Sequence, residues 1–298
     1  MAVTNTGSWI DSVTEANPGY RTLFDQEMQR LIPAEWMAAA MEFESNGAEE
    51  VYEWLNDLPE MQAFTGSMPY HDMKAEGFTL KNTRYATGIK LSRDVYDDDK
   101  AGVIKARITS LANAAARHKG KLVLKQFTTA FSDAGYDGVS LCNANHPTKT
   151  TVVSNTTGNS LSGANYNTAM AAFQNFTNYH DEPLGFSPTH LMYGPGLRAT
   201  ALSILFAEQI SDGTTTVSNI NNDGSVKPFM NPFLTGAYAA HWFLLDLSDQ
   251  MKPVICQTRH EIELTDIVDS ELQEVRFNAT GRHAVGPGLW QKVYGSSA

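Results

Sequence analysis

The stretch DDDKAGVIKARITSLANAAARHKGKLVLKQF, residues 97–127, carries the strongest periodic signal in the chain. One set of side chains recurs there at intervals of three and four residues: Ile104, Ile108, Leu111, Ala115, His118 and Leu122. This spacing lines up a single stripe along a helix, so it predicts a long helix with one buried face. Because His118 lies on the stripe, packing is favoured over catalysis for this histidine.

Three adjacent carboxylates, Asp97, Asp98 and Asp99, stand ahead of this helix. Acidic side chains at a helix N-terminus interact with the positive end of the helix dipole, which favours a role in opening the helix. The alternative is a metal site, for which the sequence supplies no further assignable oxygen ligands.

The segments before the long helix are expected to be short and weakly buried. In residues 1–65, three short helical faces are predicted. They consist of Leu23, Phe24, Met28 and Leu31, of Trp36, Ala40 and Phe43, and of Val51, Trp54, Leu55 and Leu58. None of these faces has a core of its own, so this region is expected to be an arm laid over another surface. In residues 66–93, period-two alternation on both sides of Lys81-Asn82-Thr83 predicts a long β-hairpin, which also needs a surface to lie on.

After the long helix, the pattern alternates between helical and extended segments. It predicts a helix through Tyr166 and Phe176, a strand at 190–193, a helix after Pro195, a polar loop at 211–226, and strands within 238–247, 253–264 and 272–278. Helices and strands are therefore mixed along the chain, which indicates an α+β fold.

Composition excludes several classes of protein. The 298 residues carry a net charge of -11, which argues against a nucleic-acid reader that works through a basic face. Two cysteines cannot form a disulfide framework or a four-cysteine zinc site. No apolar run approaches the roughly 20 residues of a membrane span, so a soluble protein is expected.

The charge is unevenly distributed. Residues 1–65 hold two basic against twelve acidic side chains, whereas residues 66–93 hold five basic against two acidic ones. These charges could simply be solvated. Alternatively, the acidic arm meets the basic segment of a neighbouring subunit, with Lys81, Arg84 and Lys90 as candidate contacts.

The search for catalytic motifs finds little. The sequence lacks a G-x-S-x-G elbow, a phosphate-binding G-x-x-x-x-G-K-[ST] loop and a dinucleotide-binding glycine motif. Cys142 and His146 are four residues apart and could pair as nucleophile and base, but such a pair needs a third group that orients the base. A hydrolase using Cys142 and His146 stays open as a minor alternative. No catalytic, cofactor or metal-binding residue is assigned, so a non-enzyme that works through contacts is expected.

A set of short segments occurs along the chain in an order that is characteristic of one family. They are Trp54-Leu55-Asn56-Asp57-Leu58-Pro59 with Met61, Arg93-Asp94 with Asp97-Asp98, Tyr136-Asp137-Gly138 with Asn143 and His146-Pro147, Pro188 with Leu191, Trp242-Phe243-Leu244-Leu245-Asp246, Lys252-Pro253-Val254-Ile255-Cys256-Gln257, and Gly286-Pro287-Gly288-Leu289-Trp290. In these segments the chain resembles the major head (major capsid) subunit of Mu-like bacteriophages.

The resemblance implies the tailed-phage major capsid fold, with four parts. They are an N-terminal arm (1–65), an extended β-hairpin loop (66–93), a peripheral domain with a long spine helix (94–141, completed by part of 251–298), and an axial domain (142–250). It also implies subunit contacts, for which the candidates are Trp54, Asp57, Lys81, Arg84, Lys90, Arg93, Asp97 and Asp98. Relatives open the extended loop with a Gly-acid-Arg sequence, whereas this chain has Gly66-Ser67-Met68.

The function implied is that of a structural protein, which self-assembles as pentamers and hexamers into an icosahedral shell. The shell would enclose double-stranded DNA without reading its sequence. The subunit would be made in the host bacterial cytoplasm and become part of the virion, without membrane contact. Its partners would be further copies of itself, a separate scaffolding protein, a portal and a possible decoration protein. An encapsulin-like nanocompartment shell is the main alternative.

Overall fold

The structure is a computed structural model that describes residues 6–31, 33–52, 66, 78–98, 102–148, 150–178, 182–211, 216–269 and 271–298. Within these residues the helices are α1 (Thr6–Leu31), α2 (Ala34–Met37), α3 (Arg93–Asp97), α4 (Val103–Gln126), α5 (Gly163–Gln174) and α6 (Arg198–Phe206). The strands are β1 (Ala40–Glu44), β2 (Glu49–Tyr52), β3 (Phe78–Lys81), β4 (Thr83–Ser92), β5 (His146–Pro147), β6 (Val152–Val153), β7 (Thr156–Thr157), β8 (His190–Tyr193), β9 (Gln209–Ser211), β10 (Thr216–Ser218), β11 (Lys227–Met230), β12 (Trp242–Leu245), β13 (Val254–Asp269), β14 (Glu274–Pro287) and β15 (Val293–Ser296).

The predicted long helix is present as α4, which has 24 residues and is about 36 Å long. Its stripe is buried at Ile104, Ile108, Leu111 and Ala115, as the periodicity predicts. Each such fully buried large aliphatic side chain contributes about 1.5–3 kcal/mol. Gly120 also faces inward, because a Cβ at this position would lie 2.8 Å from Cβ of Trp36.

The prediction that the aspartates open α4 is wrong. Asp97 ends the short helix α3, Asp98 follows it in a turn, and Asp99 lies outside the described residues. The physical reason is Gly102, whose φ of 70° is left-handed and separates the two helices. The first turn of α4 contains no acidic residue.

The arm begins as one helix rather than several short pieces. Helix α1 has 26 residues and packs along α4. Phe24 is fully buried with Ile104 and Ile108, and the Tyr20 ring meets Phe277 edge-on at 5.7 Å. The expectation that this part has no core of its own is therefore wrong, because α1 shares the core of its own subunit.

Residues 40–44 and 49–52 form strands where helical spacing was predicted. Strand β1 runs parallel to β13, with Ala40 opposite Val254 and Glu44 opposite Thr258. Its burial alternates from Met41 onward, since Met41 and Phe43 are more buried than Glu42 and Glu44. The three- and four-residue spacing of Trp36, Ala40 and Phe43 thus does not reflect a helix. The two-residue alternation of buried and exposed side chains matches the strand that this segment forms.

The pairing predicted for the hairpin within 66–93 is also wrong. Strand β3 pairs with β2, whereas β4 pairs with β14 along its whole length. The buried Asn82 separates β3 from β4, since its Nδ2 donates to Ser45 Oγ at 2.7 Å and to Gly47 O at 3.1 Å. An antiparallel stem does exist, but it consists of β2 and β3 and flanks residues 53–77.

Two larger sheets organise the described residues. The first has the strand order β1-β13-β14-β4, and the second has the order β11-β8-β12-β15-β7. Helices α1 and α4 pack on the first sheet, and α5 and α6 contact the second. The predicted helices α5 and α6 and the predicted strands β8, β12, β13 and β14 are confirmed in type and place.

The region 211–226 contains more structure than the predicted loop. Strands β9 and β10 pair with each other, while residues 212–215 lie outside the description. The buried Asn219 then caps α6, because its Nδ2 donates to Ile204 O at 2.8 Å and Ala207 O at 2.9 Å. This leaves Ile220 exposed beside the cap.

Candidate subunit-contact surface

The long antiparallel strands place basic residues in a row on the outer face of the first sheet. Arg84 of β4 lies directly opposite Arg282 of β14, which lies opposite His260 of β13. Residues directly opposite each other project from the same face of a sheet. We call these three residues the basic row. Their face is opposite to the one that carries Val275 and Phe277 into the core.

Among the described residues, the two arginines of the basic row have no acidic counterpart. Among the residues that the structure describes, neither Arg84 nor Arg282 is in an ion pair. Arg84 is exposed and Arg282 is half-buried. Like charges directly opposite each other in a sheet are destabilising, so this arrangement costs the isolated subunit some stability.

The other basic candidates of this region are placed differently. Lys90 is on the same face as Arg84, about 20 Å along β4, and its Nζ lies 2.8 Å from Glu274 Oε1. The hydrogen bond from Lys90 lowers the pKa of Glu274, so this lysine is already used within its own subunit. Lys81 is exposed and lies opposite Glu49 across β2 and β3.

Three of the remaining candidates follow the far end of β4 in the chain. Arg93 begins α3, and its backbone N–H donates to Gln273 O at 2.9 Å. Asp97 ends α3 and Asp98 is exposed just after it. Trp54 and Asp57 lie outside the described residues.

Cys142 and His146 do not form a catalytic pair. Cys142 is buried, and burial raises the pKa of its thiol, so it stays protonated. His146 uses both ring nitrogens elsewhere: Nδ1 lies 2.5 Å from Asp137 Oδ2, and Nε2 lies 3.0 Å from Asn155 Oδ1. A nucleophile needs a base within hydrogen-bond reach, and His146 does not supply one to Cys142.

His146 instead belongs to a buried structural cluster built around Asn155. Nδ2 of Asn155 donates to the carbonyl oxygens of Leu141, Trp290 and Val293 at 2.8–3.2 Å. Its Oδ1 accepts from the Asn143 backbone N–H at 2.7 Å, as well as facing His146. The imidazole also stacks on the Trp290 ring at 4.2 Å. These contacts tie the segment 137–155 to the segment that follows β14.

A second buried cluster surrounds Lys292. Its Nζ lies 2.7 Å from Asp246 Oδ2, 2.8 Å from Asp249 Oδ2 and 3.5 Å from the centre of the Phe186 ring. Lys292 and Asp246 are 1% and 2% exposed. Burial alone would raise the pKa of Asp246, but hydrogen bonds from Lys292 and Ser248 outweigh it and hold that pKa below its usual value. The cluster is therefore a true ion pair inside the protein.

Sequence reasoning missed the partners that long-range pairing brings together. Arg282 and His260 lie far from Arg84 in the chain, and only the register of β4, β14 and β13 aligns them. Lys292 offered one usable signal, since this lysine lies between the apolar pairs Leu289-Trp290 and Val293-Tyr294.

The described residues contain neither a cluster of metal-ligating side chains nor a membrane-spanning helix. Among them, no group of three His, Cys, Asp or Glu side chains is arranged to hold one metal ion. Within the same part of the chain, no helix has both the length and the apolar composition that crossing a bilayer requires.

Comparison with known sequences gives a consistent result over nearly the whole chain. The family model for the Mu-like prophage major head subunit gpT matches residues 13–164, 157–234 and 219–298. The chain is 24% identical over 271 residues to the Mu-like prophage FluMu major head subunit of Haemophilus influenzae, covering 88% of this chain and 66% of that protein. It is also 24% identical over 266 residues to the major capsid protein of Escherichia phage Mu, covering 87% and 65%. The chain thus spans slightly less than two thirds of the length of these relatives.

Solved structures show the same fold. The procapsid of bacteriophage JBD30 contains a chain that superposes with a TM-score of 0.57 at 20% identity, covering 95% of this chain and 75% of that one. A phage-related protein from Bordetella bronchiseptica superposes with a TM-score of 0.56 at 9% identity, covering 93% and 98%. At these identities the likeness concerns the fold alone, and it confirms the α+β fold class that the sequence indicates.

Proposed function

The chain belongs to the family of Mu-like prophage major head subunits, and from this premise we propose that it is the structural shell protein of a phage head. Copies of it would assemble into a closed icosahedral shell around double-stranded DNA. The observation that carries this proposal is the family match, which extends over nearly the whole chain and agrees with the capsid fold. The protein would act through contacts and catalyse no reaction.

The parts of the fold are assigned roles on the same premise. Residues 94–141 with part of 251–298 would form the peripheral domain around the spine helix α4, and residues 142–250 the axial domain. Residues 1–65 would supply the arm. We propose the extended loop between β2 and β3 rather than at 66–93, because these two strands pair antiparallel and would form its stem.

The partners follow from the shell. Further copies of the chain would form its pentamers and hexamers, and a scaffolding protein, a portal and a possible decoration protein would complete the head of the virion. The net charge of -11 supports an enclosed DNA that is held without sequence-specific binding, since the shell would not attract phosphates overall. An encapsulin-like compartment is less favoured, because the matched family and both curated relatives are phage head subunits.

The first expected result concerns assembly. Produced together with the neighbouring head genes of its own prophage, the chain should form closed shells of uniform diameter in negative-stain micrographs. After nuclease treatment, particles from an induced prophage should still contain protected DNA, because the shell excludes the enzyme. A chain that stays monomeric under every assembly condition would contradict the shell, and shells filled with a cargo enzyme instead of DNA would support the compartment.

We further propose that the basic row is a contact between subunits. It carries two arginines without an acidic counterpart among the described residues, while residues 1–65 carry twelve acidic side chains. The acidic segment of a second copy is therefore its proposed partner. Seven further residues are also proposed as subunit contacts: Lys81, Lys90, Arg93, Asp97, Asp98, Trp54 and Asp57. Lys90 is a weaker candidate than Arg84, because it already forms an ion pair with Glu274 of its own chain.

The second expected result concerns Arg84→Glu. The new carboxylate would lie opposite Arg282, so the sheet itself should not be destabilised. Assembly of the variant should be slow at low salt. The native chain should assemble more slowly as ionic strength rises, because the screening length falls to about 8 Å near 0.15 M. Light scattering during assembly at several salt concentrations measures both effects.

The control for this experiment is Arg107→Glu, which makes the same change in net charge at an exposed position on α4. If net charge alone governs assembly, the two variants will have the same salt profile. That outcome would reduce the basic row to a solvated surface.

A further inference from the structure

Three rings meet where α4 lies on the first sheet. They belong to Tyr85 of β4, His118 of α4 and His283 of β14. The Tyr85 ring lies 4.5 Å from that of His118 and 4.7 Å from that of His283, and the two imidazoles are 5.2 Å apart. His283 is completely buried. The cluster therefore joins three elements of the subunit at a single point.

Three of the four imidazole nitrogens in this cluster have no hydrogen-bond partner in the part of the chain that the structure describes. Both ring nitrogens of His283 and Nε2 of His118 are buried, and within the described residues none of them is hydrogen-bonded. Buried polar atoms are nearly always satisfied in folded proteins, so each exception calls for an explanation. A neutral imidazole tolerates such a place as an aromatic ring that packs on Tyr85. A charged imidazolium does not, because its two N–H groups would have lost their water.

The charged groups around the cluster do not compensate an imidazolium. On α4, the positive charges that act on the two imidazoles are Lys121 and Lys119, and Lys119 is paired with Glu261 of β13 at 2.7 Å. Arg84 and Arg282 flank the cluster on β4 and β14 but belong to the opposite face of the sheet. Glu261 is already bonded to Lys119. The surroundings add positive charge on balance.

These surroundings change how the two histidines titrate. Burial, with a further contribution from His118 and Lys119, lowers the pKa of His283 to about 4. Burial, assisted by Lys121, also lowers the pKa of His118 from its ordinary value. Both groups are therefore neutral at pH 7. Either one opposes the protonation of the other.

A small cavity gives protons and water a route to the cluster. Its volume is about 110 Å³, and Tyr85 and His118 line it together with Ala86, Thr87 and Ala114, which are exposed. Such a volume can hold several water molecules. Acid in the surrounding solution can therefore reach His118 without prior unfolding of the subunit.

We propose that Tyr85, His118 and His283 form an acid-sensitive joint between α4 and the first sheet. Near neutral pH the two neutral imidazoles pack against Tyr85 and the joint is closed. When the imidazoles take up protons they need water and must separate from each other, so α4 loosens from β4 and β14. The joint is a property of the single subunit and does not depend on the shell function.

The lowered pKa values of the two histidines determine how the stability of the subunit changes with pH. The unfolded chain takes up the protons near pH 6.5, whereas folded His283 takes up its proton only near pH 4. The joint therefore contributes its full stability above about pH 6.5 and loses it as the pH falls toward 4. The expected increase of the unfolding equilibrium constant over this window is on the order of a hundredfold.

The test compares the native subunit with His283→Phe. Phenylalanine keeps an aromatic ring against Tyr85 and removes the titrating group. Thermal unfolding between pH 7.5 and 4 should show a much flatter pH dependence in this variant than in the native chain. His260→Gln is the matched control, since His260 is exposed on the opposite face of the same sheet. This control should keep the native pH dependence.

Two further measurements protect the test against a variant that fails to fold. In the native subunit, imidazole NMR signals should show that His283 titrates below pH 5, and a midpoint near 6.5 would overturn the proposal. Zinc chloride at pH 7.5 should not raise the melting temperature through these histidines. A rise that His283→Phe abolishes would show that the nitrogens are metal ligands, and that too would overturn the acid-sensitive joint.

Discussion

Lys292→Met should lower the free energy of unfolding by about 3–5 kcal/mol, because it leaves the buried Asp246 carboxylate without its cation. Asp249 can turn toward solvent, since 48% of its side chain is exposed, but only 2% of Asp246 is. For a chain of this size such a loss corresponds to a melting temperature lower by about 10 °C. Calorimetry or chemical denaturation of the unassembled subunit measures it.

A double variant tests the cause of this effect. Lys292→Met with Asp246→Asn removes both charges and keeps an amide oxygen that can accept from Ser248, as Asp246 Oδ1 does at 2.6 Å. Replacing both members of a buried ion pair by uncharged groups often changes the free energy of unfolding little, so the double variant should recover most of the stability. If Lys292→Met alone loses less than about 1 kcal/mol, the pair does not hold this part of the fold.

Asn155→Asp should destabilise the subunit by about 4 kcal/mol while keeping the shape of the side chain. The change replaces an NH₂ group that donates to three carbonyl oxygens by a carboxylate oxygen that repels them. Asn155 is completely buried, so water cannot compensate. Urea denaturation at pH 7 should show the loss as an earlier midpoint, with a similar slope.

The control for this variant lies ten residues earlier. Asn145→Asp introduces the same chemical change in an exposed side chain of the same segment, and its stability should stay within about 0.5 kcal/mol of the native chain. Equal losses in the two variants would mean that the added charge, rather than the lost hydrogen bonds, is responsible. The hydrogen bonds of the buried cluster around Asn155 would then not account for the loss of stability.

Long periodic segments could be predicted from the sequence because their own side chains decide the structure. The stripe of α4 and the apolar run of β12 are of this kind, and both are found where they were expected. Strand β1 was missed because its partner β13 lies more than two hundred residues later in the chain. The hairpin was mispaired because the decisive group, Asn82, acts through contacts with Ser45 and Gly47 that its own neighbours do not reveal.

The sequence also could not predict which residues the basic candidates of the contact surface face. Arg84 and Lys90 could be singled out from local charge, yet the sequence cannot tell that Lys90 meets Glu274 while Arg84 meets Arg282. Likewise, the four-residue spacing of Cys142 and His146 indicates proximity but not orientation. The turn at 137–146 directs the imidazole to Asp137 and away from the thiol.

Because β15 is an inner strand of the second sheet, this sheet can be completed only late in translation. This strand lies between β12 and β7, and β7 has no other strand partner among the described residues. While the ribosome is still translating β13 and β14, residues 156–157 have no strand partner and one edge of β12 is unpaired. The second sheet closes only after residues 293–296 have left the exit tunnel. Until then β12 exposes an unpaired strand edge, and such edges make a partly made chain prone to aggregation.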